Sequence, residues 1–266
     1  MSVTSDKPAD PGRVHCTVEG GIARVVFDRP AARNAMTWTM YEQLAEACER
    51  IRTDRSIRVA TFRGAGGKAF VAGTDIAQFL DFKGGDDGLA YEKRIDAGIE
   101  RIETLPVPTI AVVEGWAFGG GMVMSAACDF RIATPDAKFG APIARTLGNC
   151  ISVANVARLN ALFGPARVKR ILMLAEAIGA EEAQACGFVL DVVEAAEIDR
   201  RADTLCQRLL EHAPITMRST KEAVRRVIQA GLPDGRDLIA ETYGSEDFKT
   251  GVRAFLAKEK ANWQNR

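Results

Sequence analysis

The sequence predicts an α/β fold with parallel strands, crossover helices and a helical C-terminal region. Three observations lead there. VHCTVEGGIARVVFD (14–28) alternates apolar and polar residues on both sides of Glu19-Gly20-Gly21, the pattern of a β-hairpin with a glycine turn. Further on, short apolar runs alternate with helically spaced apolar residues, as strand–helix–strand units do. From about Ala195 amphipathic helices follow one another with no strand between them.

Taken in order, residues 1–12, with Pro8, Pro11 and Gly12, read as a disordered lead-in. The core then runs over 13–195. After the hairpin, Met40, Leu44, Ala47, Cys48 and Ile51 recur at helical intervals between Thr37 and Arg52. Val59 to Phe62 reads as a short buried strand and Leu89 to Leu105 as a second helix. Thr109 to Val113, Gly120 to Cys128 and Phe130 to Ala133 repeat strand, helix and strand. Over 196–266, RRADTLCQRLLEHA, ITMRSTKEAVRRVIQAG and EDFKTGVRAFLAKEKANW are amphipathic helices that cap their own core or pack on a neighbouring subunit.

Composition bounds the partners. The 266 residues carry 35 Lys and Arg against 35 Asp and Glu, a net charge of zero, so there is no general basic field to attract nucleic acid or an anionic membrane. No run approaches the roughly 18 apolar residues of a membrane span. The opening MSVTSDKPADPG has neither an apolar signal core nor an Arg-rich amphipathic pattern, and the expected location is cytoplasmic. The 6 cysteines lie far apart without a CxxC, and the chain has only 2 histidines. No metal site or disulfide framework is expected, and the thiols read as buried.

Two glycine-rich segments carry the chemistry. RGAGGKAF (63–70) fails the phosphate-loop test, because Ala69 follows Lys68 where Ser or Thr is needed, and it fails the dinucleotide fingerprint because no helix follows at once. It reads as a turn. Its continuation AFVAGTDI goes further: Gly73 permits a kink, and Asp75 can cap a short helix from Ile76, turning the Thr74 amide outward. The second segment, Gly119-Gly120-Gly121, opens an apolar helix whose free amides and dipole favour negative charge. Glycines there also let a helix pack tightly on a sheet. Two such junctions in one chain favour a paired-amide oxyanion hole.

FDRPAARNAM (27–36), GKAFVAGTDIAQF (67–79) and AVVEGWAFGGGMVMSAACDFRIATPDAKFGAPIARTLG (111–148) resemble the crotonase superfamily, whose best known members are enoyl-CoA hydratases and isomerases. The resemblance runs from about residue 13 to the C-terminus. It implies a crotonase-like spiral of ββα units, a homotrimer or dimer of trimers, and an acyl-CoA thioester as ligand, with coenzyme A entering as part of the substrate and no other cofactor. It also implies that the amides of Thr74 and Gly120 hold the thioester oxygen, so that a side chain at Gly120 would stand in the thioester's place. Arg33, Lys68, Ala72, Asp75, Ile76 and Ala77 are then expected along the coenzyme A moiety, with Lys260 near its phosphates. The chemistry such a hole serves is an enolate beside a thioester carbonyl, which preorganised donors stabilise.

The chain departs from the hydratase pattern at the two positions that move protons. Hydratases of this superfamily use two glutamates, and Val123 and Ile143 occupy the matching positions here. The segment GAPIARTLGN is one residue longer than usual, which directs Arg145 or Thr146 towards the acyl pocket beside Val123 and Ile143. Arg145 is permanently charged, so it serves to fix a substrate carboxylate and not as a base. Other candidates are Asp75 as a helix cap, Glu114 bonding backbone at a strand end, Glu92 and Asp96 on the helix walling the pocket, Asp129 at a strand start, and Tyr91 and Asn149 as hydrogen-bonding groups.

The leading expectation is an enoyl-CoA hydratase/isomerase-type enzyme stabilising a thioester enolate, with a relocated or substrate-borne acid and base. Decarboxylation or hydrolysis of an acyl-CoA is the second. A non-catalytic acyl-CoA-binding oligomer is the third.

Overall fold

The computed structural model describes residues 11–264; the lead-in expected over 1–12 lies outside that span except for Pro11 and Gly12. The hairpin forms as the alternation requires, β1 (Arg13–Glu19) pairing antiparallel with β2 (Ile22–Asp28) and Glu19 standing opposite Ile22. The helix α1 (Trp38–Thr53) starts at Thr37, whose hydroxyl accepts from the Met40 amide, and it buries Met40, Tyr41, Leu44, Ala47, Cys48 and Ile51.

Three ββα turns follow. β3 (Val59–Gly64), β4 (Ala69–Val71) and α2 (Gly85–Glu103) make the first. β5 (Thr109–Val113), β6 (Trp116–Phe118) and α3 (Gly120–Ala127) make the second. β7 (Phe130–Ala133), β8 (Lys138–Gly140) and the short α4 (Ile143–Thr146) make the third. In each turn the first strand joins one sheet and the second strand joins another. The larger sheet runs β1-β2-β3-β5-β7 and ends on β10 (Asp191–Val192), parallel beyond the hairpin. The smaller runs β4-β6-β8-β9, parallel except at β9. Beyond α4 come α5 (Val153–Phe163), α6 (Pro165–Met173), β9 (Ile178–Gly179), α7 (Ala180–Ala185) and β10 (Asp191–Val192).

The tail has four helices where three amphipathic stretches were expected: α8 (Ile198–Leu210), α9 (Pro214–Gln229), α10 (Arg236–Gly244) and α11 (Glu246–Ala257). α8 lays Ile198, Ala202, Leu205, Cys206 and Leu209 on Ile22, Val59, Ile110, Val112 and Ile132 of the large sheet. α10 packs on α2 and α11 on α4. These three pack on elements of their own chain. α9 buries no residue fully. The main core lies between α1, α2, α3 and the two sheets and includes Phe27, Phe62, Phe70 and Phe139. Of the cysteines, Cys48, Cys128 and Cys206 are buried while Cys16, Cys150 and Cys186 are half-buried, and all are free thiols. No described helix is long and apolar enough to cross a membrane.

Candidate functional site

The segment 29–36 latches the first glycine junction. Asn34 is fully buried in the left-handed region, φ 59°. Its Oδ1 accepts from the Arg29 amide at 2.9 Å, and its Nδ2 donates to Ala65 O at 3.0 Å and Ala69 O at 2.8 Å. Next to it the Ala72 amide donates to Arg33 O at 3.1 Å, the Met36 amide to Gly73 O at 2.8 Å, and the Asp75 amide to Met36 O at 2.9 Å. Gly73 makes the kink with φ 100°.

Asp75 caps the 3-10 turn Ile76–Phe79 by accepting from the Ala77 amide at 3.1 Å, as its position predicts. Its other oxygen holds Arg29 Nη1 at 2.8 Å. The Gly73 carbonyl and the Asp75 amide on either side of Thr74 are thus engaged, and among the described residues no acceptor takes the Thr74 amide.

The second junction lies against the first because β4 and β6 pair in parallel, Ala69 opposite Trp116 and Val71 opposite Ala117. A Cβ built on Gly119 would stand 3.7 Å from Gly73 Cα. The three glycines have different reasons to be there. Gly119 sits at φ 53°, ψ −121°, a conformation that glycine alone adopts readily. Gly121 presses on β4, where a Cβ would stand 1.9 Å from Val71 O. Gly120 has ordinary space, its nearest neighbour being Tyr41 Oη at 3.5 Å from the built Cβ. Among the described residues its amide also takes no acceptor, since the first bond of α3 runs from the Val123 amide to Gly119 O at 3.3 Å.

Below Thr74 lies a line of hydroxyls. Tyr41 Oη and Thr74 Oγ1 are 2.8 Å apart, as are Thr74 Oγ1 and Tyr91 Oη. All three residues are buried, and burial raises the phenol pKa of both tyrosines above its ordinary value. Trp38, Phe79, Phe82 and Tyr243 surround the Tyr91 ring.

The residues expected around coenzyme A fall into two groups. Arg33, Ala72, Asp75, Ile76 and Ala77 cluster at the first junction through the bonds described above, and the Arg33 guanidinium lies 4.1 Å over the Trp116 ring. Lys68 is exposed at the other end of β4, and Lys260 is exposed beyond α11. The expected acyl-pocket residues differ in exposure. Val123 is 2% exposed and belongs to the packed core, because its helix is apolar on every side. Ile143 is half-buried on α4, and Arg145 on the same helix is exposed.

The acids proved to be engaged by neighbours. Glu114 binds the Arg63 side chain, Nε to Oε2 at 2.7 Å, and not backbone as expected, because Arg63 on the adjacent strand β3 reaches it first. Asp129 accepts from the Thr109 amide at 2.8 Å and from Lys221 at 2.8 Å. Asp96 accepts from Ser152 Oγ and Asn155 Nδ2. Glu92 accepts from Tyr243 Oη at 2.6 Å and from the Ser152 amide at 3.1 Å, and burial lifts its pKa to about 7. Asn149 donates to Tyr243 Oη at 3.2 Å. Tyr41 was absent from the sequence-derived candidates, since its place on α1 signals only a buried helix face.

A cavity of about 600 Å³ opens beneath α9, between Ala127, Phe130, Leu209, Met217 and Val224. Neither Thr74 nor Gly120 lines it. Among the described residues no three His, Cys, Asp or Glu side chains gather as a metal site requires.

The sequence model of the enoyl-CoA hydratase/isomerase family matches residues 17–266. The chain belongs to that family, within the crotonase superfamily. A short-chain-enoyl-CoA hydratase of Clostridium acetobutylicum is 32% identical over 249 residues, 91% of this chain and 94% of the relative. The structure of an enoyl-CoA hydratase/carnitine racemase from Magnetospirillum magneticum is 31% identical with a TM-score of 0.77, over 95% of this chain and 96% of its own. A methylmalonyl-CoA decarboxylase in complex with 2-nitronate-propionyl-CoA is 27% identical with a TM-score of 0.88, over 96% and 99% of the two chains. The α/β architecture described above is the crotonase fold of these family structures.

Proposed function

We propose that the chain is an acyl-CoA enzyme of the hydratase/isomerase kind that holds the thioester oxygen between the amides of Thr74 and Gly120. The observation that carries this reading is the pair of unclaimed amides at two touching junctions. An enolate forming at a thioester puts charge on that oxygen. Fixed donors and the positive end of α3 meet it without reorganising, and losing one such donor costs about 3 kcal/mol. Arg33, Lys68, Ala72, Ile76, Ala77 and Lys260 serve the coenzyme A moiety. The oligomer is a trimer or a dimer of trimers, and the compartment is the cytoplasm.

With Val123 and Ile143 in the hydratase acid positions, water activation by two glutamates is unavailable at those places. A second reading, acyl-CoA decarboxylation, is favoured by the TM-score of 0.88 to a methylmalonyl-CoA decarboxylase. Loss of carbon dioxide generates the enolate without a protein base, so the amides supply much of the stabilisation.

The test incubates the purified protein with crotonyl-CoA, followed by loss of the conjugated thioester absorbance, and separately with methylmalonyl-CoA, followed by carbon dioxide release. Gly120→Pro removes the amide at the first residue of α3, where proline is well tolerated. Turnover in either assay that falls about a hundredfold or more in the variant, with circular dichroism unchanged, supports the amide's role. Equal turnover would refute it. Tight binding of acyl-CoA without chemistry on any chain favours a binding protein.

A further inference from the structure

Tyr41, Thr74 and Tyr91 share two hydrogen bonds among three hydroxyls. Each hydroxyl has one proton to give, so one proton is left over. A buried hydroxyl proton without an acceptor is costly, which makes the place of the spare proton a physical question. At one end of the line Tyr91 is packed among Trp38, Phe79, Phe82 and Tyr243, with ring centroids 4.8 to 6.0 Å away, and its hydroxyl bonds with Thr74 Oγ1.

At the other end Tyr41 Oη lies 2.8 Å from Thr74 Oγ1 and 3.5 Å from a Cβ built on Gly120. It therefore stands between the two residues whose amides are unclaimed. If Tyr91 donates to Thr74 and Thr74 to Tyr41, the spare proton belongs to Tyr41 and faces the space beside Gly120.

We propose that Tyr41 is a third, side-chain donor to the oxygen of the bound thioester, its hydroxyl oriented by Thr74 and Tyr91. The proposal rests on the acyl-CoA reading of the two amides. It assigns Thr74 two tasks, an amide for the ligand and a hydroxyl for Tyr41, so that threonine does at 74 what alanine or glycine would not. Tyr41 gives a hydrogen bond and keeps its proton. Burial holds the phenol in its neutral form, which suits a donor and disfavours transfer of the proton to carbon.

The experiment uses the full chain and hexadienoyl-CoA, whose conjugated thioester absorbs at longer wavelength when its oxygen accepts stronger hydrogen bonds. Wild type is expected to shift the band on binding. Tyr41→Phe should shrink that shift and lower kcat on whichever acyl-CoA the wild type turns over, by about tenfold to a hundredfold, with KM within about twofold. Thr74→Val keeps the amide and removes the relay. It should give a smaller shift than wild type and a smaller loss than Tyr41→Phe. A Tyr41→Phe protein with wild-type melting and the full band shift overturns the proposal while the amide reading survives. A wild type that binds the probe without any shift, or does not bind it, overturns both. Should Tyr41→Phe fail to fold, Thr74→Val decides: a full shift there counts against the relay and a reduced one supports it.

Discussion

The two glycine junctions are held in place by different means. At 73–75 side chains hold the turn: Asp75 caps the 3-10 turn and binds Arg29, and Asn34 pins the segment that clasps Met36 to Gly73 and Asp75. At 119–121 backbone volume holds it, with Gly121 pressed on Val71 O and Gly119 beside Gly73. One junction is held mainly by side-chain bonds, which can be removed singly, and the other by close backbone contact at Gly121, which admits no added atom, with the Gly119 amide bonded to Gly140 O at 2.8 Å. The chain thus spends polar groups on the first and glycines on the second.

The largest effect that tests this contrast is at Gly121. A methyl group there would stand 1.9 Å from Val71 O and 2.7 Å from its carbon, both parts of a buried strand that cannot yield. Gly121→Ala is expected to cost about 4 kcal/mol or more, read as loss of soluble folded protein or of the cooperative melt. A variant that melts like wild type would mean that contact is not what shapes the second junction.

Asn34→Ala comes next. It removes three hydrogen bonds, two of them buried, and asks alanine to adopt φ 59°, at an expected cost of about 3 kcal/mol in urea unfolding. The folded fraction should also bind acyl-CoA more weakly, since the Thr74 turn loses its clasp. Unchanged affinity together with lower stability would separate the latch from the site.

The smallest effect concerns the wall beside both junctions. Burial first, and then Asp96 nearby, raise the pKa of Glu92 to about 7 against the bonds from Tyr243 and Ser152 that lower it. The folded state therefore holds this proton more tightly than the unfolded chain does. Its stabilising contribution is complete below about pH 4.5, the carboxyl's ordinary value, and is lost as pH rises through about 7. Glu92→Gln should flatten the fall in melting temperature between pH 5 and pH 8, an effect on the order of 2 kcal/mol. An identical pH slope in the variant would show that Glu92 does not titrate in that window.

Much of the fold was legible because its signals are local. The hairpin, α1, and the strand–helix–strand repeat from Thr109 to Ala133 each rest on alternation or helical spacing within one short window. The smaller sheet was not legible. Its strands Ala69–Val71, Trp116–Phe118 and Lys138–Gly140 are too short to show a period, and they exist because parallel neighbours pair with them. α5 had a readable start in Ser152 and a readable stop in Gly164 and Pro165, but without a motif nothing drew notice to it.

The site divides in the same way. Sequence by itself determined the family, the glycine bends at 73 and 119–121 and the Asp75 cap, because residue type and order are sufficient for these. Only the tertiary structure decided which glycine serves packing and which leaves room, that Glu114 binds Arg63, that Val123 sits in the core, and that Tyr41 lies against Thr74 from 33 positions away. Such facts depend on which surfaces meet once two sheets and a helix layer exclude water together, and no local window of the chain carries that information.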